Sequence, residues 1–242
     1  MSRFQEDIKA EQILSHIMNV WVWDRLKDVG NIETYTRETN KDKQLNGTDL
    51  WLHTKNKTHI SIDEKAQLYY INANLPTFAF ELGFLGQNGQ VKQGWFVNNS
   101  LDTNMYMLIY PFANTEDLST IEYSSFEKLD CILISKKALW NELIKNGLSY
   151  EYLLEETKKM RESGQVGRKY LPNIDWCYLN FSDPDKYTET PINLVIRKEK
   201  LLELANQVFV ATPQKLLLKK GKEKGYVIES NLFGRRMYKI NI

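Results

Sequence analysis

The chain predicts an α+β protein in which an N-terminal helix leads into a mixed β-sheet, and three observations carry that expectation. Residues 4–23, FQEDIKAEQILSHIMNVWVW, lack Gly and Pro and repeat apolar side chains at helical spacing through Leu14, Ile17, Met18 and Trp21. The segments GTDLWLHT (47–54) and THISIDEKAQ (58–67) read as strands, whose side chains alternate faces with a period of two. The second half alternates apolar strand-like runs with helical stretches, which marks an α/β C-terminal part.

Within the first helix, Glu6 and Asp7 fall in the opening turn, where acids favour the helix dipole. Glu11 lies three residues before Leu14 and seven before Met18, so it shares their apolar stripe. A carboxylate on that stripe needs a partner, because an unpaired buried charge is costly. In the strand at 47–54, Leu50 and Leu52 take one face, while Asp49, Trp51 and His53 take the other. In the next, Asp63 and Lys65 point the same way as His59 and Ser61, and Gln67 joins them if the strand runs on. Ile60, Ile62 and Glu64 face the opposite side. The short connection at Lys55-Asn56-Lys57 implies an antiparallel hairpin that brings Asp49 towards Asp63.

Further along, Phe78, Phe80, Leu82 and Phe84 alternate with smaller residues in a strand that also carries Glu81, an accessory candidate. Asn88-Gly89 signals a hairpin turn, with a return strand from Val91 to Val97. Strands are expected at 104–112, 129–135, 176–181 and 192–197, with a polar connection at 113–128. Helices are expected at 136–147, 149–164 and 198–209, with Ser149 as an N-cap and Gly147 and Gly164 as stops. The reading divides the chain into a core at 1–113 and a second part at 114–242, which completes the same sheet or positions substrate.

An apolar content of 42% with 26% charged residues is that of a soluble globular protein. The net charge of +1 gives no global sign of a nucleic-acid partner. The distribution is uneven, however: from Lys215 onward eight basic residues face two acids, eight minus two or +6. A local basic surface of that kind can gather phosphates. Cys131 and Cys177 each sit in an apolar run, as buried free thiols of a reducing compartment do. The N-terminus is too charged for a secretory signal and no apolar run approaches the roughly 18 residues of a membrane span, so a cytoplasmic protein is expected. His16, His53 and His59 lack metal-type spacing, which argues against zinc and leaves His53 an accessory candidate on the Asp49 face.

Two carboxylates and one ammonium converging at a sheet end can hold a hard divalent cation beside a water nucleophile. Oxygen ligands suit Mg²⁺, which takes one or two protein carboxylates and keeps several waters. The arrangement resembles the PD-(D/E)XK nuclease superfamily, whose motif is an acid on one strand followed by (D/E)-X-K on the next. The matching residues are Asp49 in Gly47-Thr48-Asp49 and the run Asp63-Glu64-Lys65, and the pattern covers roughly residues 1–67. No proline precedes Asp49, and a strand replaces the helix that usually follows the (D/E)-X-K strand. The resemblance implies a restriction-endonuclease-like αβββ start and a metal-dependent endonuclease acting on DNA. It assigns Asp49, Asp63 and Glu11 to Mg²⁺ or Mn²⁺, Lys65 to the attacking water, and Gln67 to a supporting role. It is compatible with a homodimer. An inactive nucleic-acid-binding module and an interaction protein with no nucleic-acid role stand as alternatives.

Overall fold

The computed structural model describes residues 3–39, 46–86, 88–183, 189–219, 225–231 and 234–240, with only the backbone described for 3–5, 225–231 and 234–240. Helices and strands combine in the expected α+β fashion. The chain forms two compact units, each assembled from separated stretches. The first comprises Met1–Leu75, Thr103–Ser135 and Ala205–Ile242, and the second Pro76–Asp102 and Lys136–Leu204. The boundary expected at 113/114 therefore falls inside the first unit.

The first unit opens with α1 (Arg3–Met18), a π-helical turn (Asn19–Trp23) and α2 (Asp24–Leu26). The expected helix to Trp23 thus loses its regular period at Asn19, whose carbonyl accepts the N–H of Asp24. Trp21, Val22 and Trp23 are all buried. A regular helix spreads three consecutive side chains over about 200°, so burying all three favours a wider turn. Arg25, only 3% exposed, fastens this region by donating to Trp21 O and to the carbonyls of Thr212 and Pro213.

The strands follow in chain order. The first three are β1 (Ile32–Arg37), β2 (Leu50–Thr54) and β3 (His59–Ala66). Next come β4 (Thr77–Leu85), β5 (Val91–Gln93), β6 (Met105–Ala113) and β7 (Phe126–Ser135). Two helices, α3 (Lys136–Lys145) and α4 (Tyr150–Ser163), precede β8 (Gly167–Tyr170), β9 (Cys177–Phe181) and β10 (Ile192–Arg197). The chain ends with α5 (Lys198–Leu204), β11 (Gln207–Ala211), β12 (Lys215–Lys219), β13 (Gly225–Asn231) and β14 (Gly234–Ile240).

Among the described residues, the first unit is built on a nine-stranded sheet in the order β1-β2-β3-β6-β7-β11-β12-β13-β14. The β2–β3 hairpin is antiparallel with Leu50 opposite Ile62 and His53 opposite His59. Leu50, Leu52 and Ile62 bury against Ala10, Leu14, Ile17 and Met18 of α1. β3 and β6 pair in parallel, with Asp63 opposite Tyr106. Parallel neighbours need a long crossover, and here the stretch Pro76–Asp102 of the second unit fills it in place of a helix.

Residues 198–209 were expected as one helix, but α5 stops at Leu204. Asn206 then donates its N–H to Leu133 O and accepts the Ser135 N–H, so β11 joins β7 with Phe209 opposite Cys131. Val208 and Val210 favour that outcome, since branched side chains pack well on a pleated surface. In the basic segment, Lys215 and Lys219 lie on β12, while Lys220, Lys222 and Lys224 and the side chains of Arg235, Arg236 and Lys239 lie outside the described residues.

Among the described residues, the second unit carries a five-stranded antiparallel sheet, β5-β4-β10-β9-β8, and the helices α3, α4 and α5. Phe78, Phe80 and Leu82 are buried, as their alternation implies. The return strand ends at Gln93 rather than Val97. Gly94 there runs against β4 so closely that a Cβ would stand 2.3 Å from Glu81 O. Ser149 caps α4 by accepting the Tyr152 N–H, and Gly164 ends it in the left-handed conformation. Phe96 stacks on Trp140 with ring centroids 4.7 Å apart. Among the described residues, no helix is long and apolar enough to cross a membrane.

Candidate functional site

A cleft of about 560 Å³ lies in the first unit, with Glu11 and Gln12 of α1, Arg37, Asp49, Glu64 and Lys65 on its walls. Asp49 enters it from the residue just before β2. Its N–H donates to Ile62 O at 2.9 Å and its carbonyl accepts the Glu38 N–H at 2.9 Å, so the backbone is held on both sides. Its side chain is held as well: Oδ2 accepts the Glu64 N–H at 2.8 Å.

Asp63 is 2% exposed, and its Oδ1 stands 2.8 Å from the Lys65 ammonium. Its other oxygen, Oδ2, is buried and accepts no hydrogen bond. Burial pushes the Asp63 carboxyl up to about 7, with Lys65 opposing that rise and the adjacent Asp49 adding to it. Lys65 is pulled both ways. Burial works to lower its pKa, but the carboxylates of Asp63, Asp49 and Glu11 together hold it above the ordinary lysine value. The ammonium is therefore a fixed positive charge among three acids. Asp49, Asp63 and Lys65 converge as the alternation of the two strands requires.

Glu11 reaches the same place, but not from the core. It is exposed on the cleft side of α1 rather than buried in the apolar stripe. Enough protein surrounds its carboxylate that burial still raises its pKa, with Lys65 lowering it and Asp7 and Asp49 adding to the rise. Gln67 takes a different course. β3 ends at Ala66, and Gln67 turns into the 3-10 turn Leu68–Tyr70, donating its backbone N–H to Ile109 O. It is not on the cleft walls, because the alternation that would have aligned it with Lys65 stops one residue earlier. Glu81 lies on β4 in the second unit.

Two cleft residues were not singled out from the sequence. Arg37 at the end of β1 pairs with Glu64 at 2.6 Å, and donates further to Asn19 Oδ1 at 2.7 Å and Ser15 O at 3.1 Å. Glu64 also accepts the Trp23 indole N–H at 2.7 Å. The π-helical turn thus supplies both Asn19 and Trp23 to this network. A signal was present: Glu64 shares a face with Ile60 and Ile62, and an acid on a core-facing side demands a cation.

Carboxylate oxygens are the donor type that a hard divalent ion takes. The Asp49 and Asp63 carboxyls lie within hydrogen-bonding reach of each other, which helps to raise the Asp63 pKa, and the buried Asp63 Oδ2 meets no N–H or O–H donor from elsewhere in the protein. Among the described residues, no three His, Cys, Asp or Glu side chains stand close enough to share one ion. Glu11 is therefore near the pair without completing a three-carboxylate cage, and two carboxylates are what Mg²⁺ commonly takes. Comparison with known protein families, characterised proteins and solved structures finds no match to this chain.

Proposed function

We propose that the protein is a metal-dependent endonuclease that hydrolyses phosphodiester bonds in DNA. The observation that carries this reading is that Asp49 and Lys65 line one cleft while Asp63, buried behind its wall, pairs with Lys65 and lies beside Asp49. Asp49 and Asp63 would hold Mg²⁺ or Mn²⁺, and Glu11 would stand beside them at the cleft wall. The ion, when bound, supplies Lewis-acid polarisation and charge neutralisation at the phosphate.

The remaining work falls to the protein. The Glu64 N–H keeps the Asp49 carboxylate aimed, which removes the need to order it during the reaction. Lys65 stays protonated, so it can donate hydrogen bonds to a phosphate oxygen or orient the attacking water. That water adds to phosphorus and gives up a proton to solvent or to a neighbouring carboxylate, while the bond to the leaving sugar oxygen breaks and that oxygen takes a proton from solvent. The two buried free cysteines are in keeping with a cytoplasmic setting.

Incubating supercoiled plasmid with the purified chain tests the proposal. Open-circular or linear product with Mg²⁺, and none with a chelator, is the expected result. Cleavage that persists without divalent metal counts against it. Plasmid that stays intact while the protein still binds DNA would favour the inactive binding module instead.

A further inference from the structure

The β2–β3 hairpin carries a second cluster of metal-ligating side chains, at the turn end of the same two strands. His53 and His59 are directly opposite in the register, and their Nδ1 atoms lie 2.5 Å apart with the rings crossed at 80°. His59 is exposed and His53 half-buried. On the far side of the His53 ring, Nε2 stands 2.9 Å from the Thr36 hydroxyl of β1. Nothing in the Asp49–Asp63–Lys65 arrangement uses these residues.

We infer that His53 and His59 form a chelating site for a borderline transition ion such as Zn²⁺ or Ni²⁺, clipping the hairpin at its turn. The ligand chemistry sets the class. Neutral imidazole nitrogen suits Zn, Cu and Ni, whereas Mg²⁺ demands oxygen, so the two ends of the hairpin select different ions. Thr36 supplies the outer contact that orients a ligating ring: when its hydroxyl accepts the Nε2–H of His53, the Nδ1 lone pair is left free to bind. Without metal, one Nδ1–H donates to the other Nδ1. Binding through both nitrogens parts the rings until the two Nδ1 atoms stand about 3.3 Å apart, the span of tetrahedral Zn²⁺ with bonds of about 2.0 Å. It also shifts that proton to the Nε2 of His59, with no net release. Water completes the coordination. Linear spacing hides the site, because screens for paired histidines look for helical intervals, while these two meet across a turn.

The site is tested by calorimetric titration of the full chain with Zn²⁺ at saturating Mg²⁺, which keeps the carboxylate pair occupied. One saturable site is expected, lost in His53→Ala and in His59→Ala and retained in Asp63→Ala. Thr36→Val should weaken it about tenfold, as loss of an outer-shell partner does. Zn²⁺ should also raise the melting temperature of the wild type and of Asp63→Ala, but not of either histidine variant. Equal Zn²⁺ binding by wild type and both histidine variants overturns the inference. So does binding that disappears in Asp63→Ala, which would place the ion at the carboxylates. Because the readouts are binding and melting, the result is independent of whether the protein cleaves DNA.

Discussion

The backbone N–H of Glu64 donates to Asp49 Oδ2 at 2.8 Å, so the middle residue of the Asp63-Glu64-Lys65 run fixes the acid on the neighbouring strand. The Glu64 side chain is itself pinned by Arg37 and by the Trp23 indole. The position between the two motif residues therefore does as much to build the site as its neighbours, and it links α1, the π-helical turn and all three strands of the first unit's sheet edge.

One expected outcome concerns that link. Arg37→Ala should cost about 3 kcal/mol of stability, because it leaves the Glu64 carboxylate largely buried without its cation. Chemical denaturation of the variant measures the loss. Adding Glu64→Gln to Arg37→Ala should recover part of it, and no recovery would mean that packing rather than charge is at stake.

Asp63 should behave oppositely. Asp63→Asn removes a charge that is 2% exposed, while Lys65 keeps Asp49 and Glu11 nearby, so the melting temperature should hold steady or rise. Loss of function with no loss of stability is the signature of a group kept for its chemistry. A clear drop in melting temperature would instead make Asp63 a structural residue.

The same group sets an expected pH dependence for the metal-free protein. A folded-state carboxyl near 7, against an ordinary value of 3.8, favours the protonated form in the fold. Its contribution to stability is fully present below about 4 and is lost as pH rises through about 7. Denaturation midpoints across that window should fall in wild type and flatten in Asp63→Asn. Mg²⁺ should offset the fall by binding the ionised form.

Lys65→Ala should reduce turnover far more than Mg²⁺ affinity, since the ammonium is assigned to water and phosphate rather than to the ion. Removing a nearby positive charge leaves metal binding unchanged or tighter. Titrating Mg²⁺ against the cleavage rate of both proteins separates the two, and a large loss of affinity with normal turnover at saturation would contradict the role.

Much of the candidate site's geometry was legible because strand alternation is a local rule. Asp49, Asp63 and Lys65 could be aligned from the period of two and one short turn. Glu11 was legible only in part: its register on the helix was right, but helical spacing does not say which edge of a stripe stays open to a cleft. Gln67 was expected on the strand but lies just past it, because where a strand ends is decided by tertiary pairing, here the turn that follows Ala66. The Arg37–Glu64 pair needed knowledge of which strand lies next to β2. The division into two units was not legible at all, since β4 pairs with β10, more than a hundred residues away, and turn or periodicity signals carry no information at that range.

The most direct test sets wild type beside Asp63→Ala on the same supercoiled plasmid at saturating Mg²⁺, with the fold of each checked by circular dichroism. The account predicts Mg²⁺-dependent nicking by wild type and none by a fully folded Asp63→Ala. Equal cleavage by the two proteins would contradict it.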